Sequence, residues 1–253
     1  MAGSVLADSA MEHYRGSFDN RAMLLPIASS ALAIAADSRL ASGRVTGASP
    51  LTASIHAASI AVGAAGLGFH TYNVTRKAGG ISWNNLFYRA PIGAPAALVT
   101  SGMLGVAAQA LGSGASYLGP LPLLSGRALA GFTALGLAGA SAEAALLHFR
   151  GAYHDSFMWL PVTLPPLSAA ALARAAMTGR AGWITTATLA ATAAVGLFGM
   201  AFHAYGVSRN MGGWKNWRQN ILAGPPLPAP PSFTGLAIAG LGALMLIRRF
   251  ARG

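Results

Sequence analysis

The residues best suited to chemistry in this sequence are four histidines, set in two polar motifs that each occur twice. His13-Tyr14-Arg15-Gly16-Ser17-Phe18, with Met23 and Pro26 beyond it, returns as His148-Phe149-Arg150-Gly151-Ala152-Tyr153, with Met158 and Pro161 beyond it. Phe69-His70-Thr71-Tyr72-Asn73-Val74-Thr75-Arg76, followed by Gly79-Gly80, returns as Phe202-His203-Ala204-Tyr205-Gly206-Val207-Ser208-Arg209, followed by Gly212-Gly213. Imidazoles can be axial ligands of a b-type haem, with Arg15, Arg76, Arg150 and Arg209 placed for its propionates. Pairing His13 with His70 and His148 with His203 would give one site per motif set, whereas pairing His70 with His203 would give a single central site. The sequence leaves both pairings open.

A quinone is the second candidate ligand, because the His-x-Tyr pairs His70/Tyr72 and His203/Tyr205 carry suitable hydrogen-bonding groups. A spacing of two turns such side chains apart on a helix, so both reach one ligand only if the helix ends there. Copper, zinc or iron ligation by His13, His70, His148 and His203 is the third. The metal reading is weakened at the carboxylates, since Glu12 is matched by Leu147 and Asp19 by His154. The plainest alternative is structural: His and Arg at helix C-termini meet the negative end of the helix dipole and cap free carbonyls. His56 and His154 have no histidine counterparts and read as incidental, while Glu143, within an apolar run, is a candidate proton-pathway residue.

The elements that carry these motifs are membrane helices. Only 9% of the 253 residues are charged, 17 Lys or Arg and 6 Asp or Glu, against about 25% in a soluble domain. Hydrophobic types make up 54% and fall in long runs. With about 20 residues needed per crossing, the runs predict seven spans, at about 22–41, 51–74, 92–112, 127–148, 157–176, 183–206 and 230–248. Pro26, Pro161, Pro165 and Pro166 disturb the beginnings of the first and fifth. Small residues run through all seven and suit close helix packing. The fold class is therefore an all-α integral membrane protein.

The motif offsets organise these spans. From His13 to His148 the offset is 135, from His70 to His203 it is 133, and Ala94-Pro95 against Ala229-Pro230 restores 135. A tandem repeat follows, with residues 1–126 supplying three spans and 127–253 supplying four. Four helices between equivalent positions make the repeats parallel, related by an axis near the membrane normal. If each span crosses once, all four histidines and their arginines share one face. The nine-to-eight division of Lys and Arg between the faces leaves orientation open.

The net charge of +11 resides in short caps between apolar runs and fits lipid headgroups rather than nucleic acid. Without cysteine there is no thiolate for an iron-sulfur cluster and no c-type haem attachment. No basic region followed by an apolar stretch opens the sequence, so targeting would rest on the first span. The segment from Met211 to Pro231, rich in Trp, Asn and Pro, reads as a stiff surface strap for an extrinsic subunit. In general architecture the arrangement resembles the helical membrane anchors of respiratory dehydrogenases. The expected function is a multi-pass subunit of an oxidoreductase complex in a bacterial inner membrane, binding haem b or quinone, without catalysis of its own. A small-solute permease or channel and a cofactor-free scaffold are the alternatives.

Overall fold

The computed structural model describes residues 1–43 and 49–252; Arg44, one of the basic residues counted above, lies outside them. Seven helices are long and apolar enough to cross a membrane: Arg21–Ala41, Pro50–Thr75, Ala94–Gly112, Arg127–Arg150, Ser156–Thr178, Trp183–Arg209 and Pro231–Phe250. Each begins and ends within three residues of the span expected from the apolar runs. The prolines explain several of the starts. Pro26, Pro50, Pro95, Pro161 and Pro231 occupy the first or second helical position, where a missing N–H costs nothing because that donor has no partner inside the helix. Pro165 and Pro166 lie one turn further in and are accommodated within the fifth span.

In chain order the helices are α1 (Ala2–Arg15), α2 (Leu25–Ala41), α3 (Pro50–Thr75), α4 (Trp83–Tyr88), α5 (Ala94–Gly112), α6 (Arg127–Arg150), α7 (Leu160–Thr178), α8 (Trp183–Arg209), α9 (Trp217–Ala223) and α10 (Pro231–Phe250). Short 3-10 turns at Arg21–Leu24 and Ser156–Trp159 lead into α2 and α7. A two-stranded hairpin, β1 (Tyr117–Leu118) with β2 (Leu121–Pro122), connects α5 to α6. Three of these helices were not expected from hydropathy: α1, α4 and α9.

Helices α6, α7, α8 and α10 enclose a continuous apolar core that includes Leu137, Leu172, Leu189, Leu236, Leu244 and Ile247. Helices α1, α2, α3 and α5 associate in the same sequence of contacts. Two glycines set the closest approaches. A β-carbon on Gly63 of α3 would collide with Val99 and the Pro95 carbonyl of α5, and one on Gly196 of α8 with Thr234 and the Pro230 carbonyl of α10. Such backbone-to-backbone contact replaces the hydrophobic drive that lipid does not supply.

The interior of the first half is more polar. Where the second half buries Leu172, Leu189 and Leu244, the positions 135, 133 and 135 residues earlier are Asp37, His56 and Gln109. His56 is fully buried, its Nε2 lies 3.2 Å from Asp37, and its ring rests against Gly105. Thr52 donates to Gln109 one turn away, at 3.0 Å. His56 and His70 thus stand fourteen residues apart on one helix, but the His56 ring is already enclosed by Asp37 and α5.

Candidate imidazole sites at one end of the bundle

The local chain path explains why each motif contains the residues it does. Helix α1 ends at Arg15 and α6 at Arg150, and the chain then turns through left-handed residues, Ser17 and Phe18 in one case, Ala152 and Tyr153 in the other. The amide of Phe18 reaches back to the His13 carbonyl at 3.0 Å, and that of Tyr153 to the His148 carbonyl at 3.2 Å. Asn20 and Asp155 then accept from Ala22 and Phe157 and start the following 3-10 turn. This returns a methionine carbonyl to the histidine. His148 Nδ1 is hydrogen-bonded to the Met158 carbonyl at 2.9 Å. His13 stands by the Met23 carbonyl in the same way, though its Nδ1 does not close a well-formed hydrogen bond.

The second motif uses a longer loop to the same end. After α3 the glycines 79 and 80 take positive φ, as 212 and 213 do after α8. Buried Asn85 ties the first turn together, donating to the carbonyls of Ala78 and Gly80 at 3.1 and 2.8 Å. Buried Asn220 does so for the second, donating to Met211 and Gly213 at 3.2 and 2.7 Å. The loops then bring proline carbonyls back, so that His70 Nδ1 meets Pro91 at 2.7 Å and His203 Nδ1 meets Pro226 at 2.6 Å.

A carbonyl only accepts, so the tethered Nδ1 of His70, His148 and His203 must carry the hydrogen, which leaves Nε2 with its lone pair in the neutral ring. Metal-ligating histidines are typically held in this way. All four rings are half-buried. His13 is held below the ordinary histidine range by burial, partly opposed by the Met23 carbonyl, with the charge of His70 a further lowering influence. Among the described residues no three His, Asp or Glu side chains gather as a set able to hold a metal ion.

The tyrosines do not join the histidines. Because α3 runs on to Thr75 and α8 to Arg209, the His-x-Tyr side chains diverge. Tyr72 and Tyr205 are exposed, with Arg76 and Arg209 placed 5.4 and 5.7 Å from their ring centroids. Arg15 and Arg150 reach across to the opposite half. Arg15 donates to the carbonyls of Ile221 (2.7 Å) and Gly224 (2.7 Å), and to Glu12 at 2.6 Å. Arg150 lies 5.5 Å from the Tyr88 ring, beside a Phe87–Phe149 stack with centroids 5.2 Å apart. These contacts bring both motif sets to one end of the bundle.

Two polar correspondences escaped sequence reasoning, although Glu143 itself was singled out by it. Asn85 and Asn220, both buried and both bonded to carbonyls of a glycine turn, are 135 residues apart. So are Asp8 and Glu143, a match in charge but not in residue type. Both positions of this offset carry a carboxyl group, which those of Glu12 and Asp19 do not. No family model matches this chain, and no curated protein or solved structure is significantly similar to it.

Proposed function

We propose that this chain is a multi-pass membrane subunit of a respiratory-type oxidoreductase complex, a tandem parallel repeat (1–126 and 127–253) that holds a redox cofactor at each of two imidazole pairs near one face. The pairs are His13 with His70 and His148 with His203. The observation that carries this reading is the tethering of Nδ1 in His70, His148 and His203 to main-chain carbonyls. A histidine that merely capped its own helix would need no carbonyl from ten to twenty-three residues further along the chain. The recurrence of the same tethers, left-handed turns and buried asparagines at offsets of 133 and 135 supports the repeat.

The donor set favours haem b over a bare metal ion and over quinone. His13 with His70 and His148 with His203 would be enough to hold a haem b, whose porphyrin brings most of the iron's donors, whereas a bare ion would need more protein donors. Neutral rings with a free Nε2 lone pair cannot donate to a quinone carbonyl. The membrane is taken to be a bacterial inner membrane. The strap Met211–Pro231 is the docking place for an extrinsic subunit: it exposes Met211, Trp214 and Trp217, and carbonyls of Ile221, Gly224, Pro226 and Pro228 fasten it to the bundle.

The test is an absorption spectrum of the detergent-purified protein, oxidised and then reduced with dithionite, with elemental analysis. The expected result is a Soret band, a sharp reduced alpha band, and loss of about half the pigment in His203→Ala. A colourless, metal-free protein purified from haem-replete cells refutes the haem and metal reading; bound quinone in the organic extract would replace it.

A further inference from the structure

At the other end of the bundle, about 30 Å along α8 from His203, the arginines of the second half divide by what they touch. Arg127 donates to the carbonyls of Ala176 and Met177 at 2.6 and 2.7 Å and so caps the last turn of α7. Arg248 of α10 donates to Thr186 and to the Ala181 carbonyl and holds the start of α8. The guanidinium groups of Arg174 and Arg180, by contrast, have no hydrogen-bond or ion-pair partner among the described residues; only their main chains are bonded, through the Thr178 hydroxyl. Both side chains line a cleft of about 270 Å³ between the end of α7 and the start of α8. The rest of its lining is chiefly apolar and includes Ala171, Ala175, Ile184 and the exposed Trp183.

We propose that this cleft binds an anionic phospholipid, its phosphate held by Arg174 and Arg180 and an acyl chain lying on Ala171, Ala175 and Ile184. The chain supplies no counter-charge of its own. No Asp or Glu occurs anywhere from residue 156 to residue 253, and the one carboxylate of α6, Glu143, lies toward its far end. Asp37, at this end of α2, faces His56. Arginine forks match phosphate oxygens, and basic pockets between spans take anionic headgroups. A zwitterionic lipid brings its own cation, which two unpaired guanidinium groups repel. The inference rests on the crossing of the bilayer by α7 and α8, not on the cofactor or the extrinsic subunit, so a colourless protein leaves it standing.

The position of the cleft agrees with a lipid occupant. Thr178 ends one span and Trp183 begins the next, so the arginines stand at the level of the headgroups while the apolar wall continues toward the acyl chains. Trp183 is the only tryptophan among the spans' ends on this side, and its amphipathic ring suits the bilayer interface. A second basic cleft lies on α10, between Met245, Arg248, Arg249 and Arg252. It offers Met245 as its one apolar side chain, and Arg248 is already bonded to Thr186 and Ala181, so it lacks the combination of free cations and apolar wall found between α7 and α8.

Native mass spectrometry of the full chain, released from mixed micelles, tests the proposal with phosphatidylglycerol, phosphatidylcholine and inorganic phosphate as probes. The unmodified protein should retain one phosphatidylglycerol in preference to phosphatidylcholine, and should retain no inorganic phosphate. Each arginine beside an anionic headgroup contributes roughly fivefold in affinity, so Arg174→Gln with Arg180→Gln should weaken retention of that lipid about 30-fold. Arg174→Lys with Arg180→Lys, which keeps the charge, should preserve most of it, and Arg21→Gln with Lys77→Gln, an exposed pair at the histidine end, should leave it unchanged. Phosphatidylglycerol with brominated acyl chains should quench more fluorescence in the unmodified protein than in Trp183→Phe, which reports the lipid in this cleft whatever the glutamine pair does to folding. Equal retention of phosphatidylcholine, capture of inorganic phosphate in place of the lipid, or quenching unaffected by Trp183→Phe overturns the proposal. So does phosphatidylglycerol retention that survives the glutamine pair or is lost instead in Arg249→Gln with Arg252→Gln.

Discussion

Arg15 and Arg150 occupy the same place in the same motif, yet replacing them should have very different effects. The Arg15 side chain is only 19% exposed, and its guanidinium bonds the carbonyls of Ile221 in α9 and of Gly224 just beyond it, each at 2.7 Å, as well as Glu12. A hydrogen bond to a charged group contributes about 1.5–3 kcal/mol. Arg15→Met leaves two half-buried carbonyls and a carboxylate without that donor, so the loss should be about 3 kcal/mol, or roughly 6–12 °C in Tm for a chain of this length. Arg150 is exposed and offers only its contact with the Tyr88 ring, worth about 0.5–1 kcal/mol. Arg150→Met should therefore lower Tm by no more than about 4 °C. Thermal unfolding in one detergent measures both, and hydrogen exchange should show faster exchange at the amides of residues 217–224 in Arg15→Met alone. Arg15→Lys should recover only part of the loss, because an ammonium lacks the fork that spans two carbonyls. Equal losses from the two arginines, or unchanged exchange in α9, would refute the reasoning.

Three further outcomes follow from buried polar groups and close contacts. Asp8 keeps its proton in the folded protein up to about pH 7, while an ordinary carboxyl near 3.8 has already lost it in the unfolded chain. The folded state therefore binds more protons in that window, and stability should fall as pH rises from about 4 to 7 and level off above, by at most about 4 kcal/mol; unfolding midpoints across pH should show this slope in wild type and not in Asp8→Asn. In the first half, Asp37→Leu alone should destabilise by about 1–3 kcal/mol by stranding buried His56, while Asp37→Leu with His56→Leu, which copies the leucines of the second half, should be neutral or stabilising; a double-mutant cycle separates the two. Gly196→Val should force α8 from α10 at Thr234 and Pro230 and lower Tm well beyond Gly139→Val, where an added β-carbon meets nothing within 4 Å.

The spans were legible because lipid imposes length and hydropathy on anything that crosses it, and the prolines that blurred two of the starts turned out to mark them. Helices α1, α4 and α9 were not legible by that criterion. Helices α4 and α9 are short helices in the loops after α3 and α8, and α1, though it packs along α2, is only fourteen residues long; the ties that hold them, such as the Arg15 bonds to α9, have no hydropathic signature. The histidines stood out by identity at fixed offsets, but the carbonyls that tether three of them did not, since turns bring those back from ten to twenty-three residues away. Tyr72 and Tyr205 illustrate the converse: sequence spacing allowed them to reach a shared ligand, and the continuation of α3 and α8 past them turned them outward. Glu143 stood out within its apolar run, but Asp8, 135 residues earlier, did not, because offsets matched by residue identity overlook a shared carboxyl group.

The arms of the two motif sets are exchanged, and this bears on how the sites would behave. Arg15, from the first half, fastens the strap whose Pro226 carbonyl orients His203 in the second. Phe149 and Arg150, from the second half, hold Phe87 and Tyr88 in the loop whose Pro91 carbonyl orients His70 in the first. The tethers of His203 and His70 are therefore each braced from the other half. A change at either motif should register at the other half's histidine, and the unequal strength of the two arms gives the coupling a direction: loosening Arg15 should disturb the His148/His203 pair more than loosening Arg150 disturbs His13/His70. Were the halves independent modules, Arg15→Met would act only on the pair that contains its own neighbour, His13.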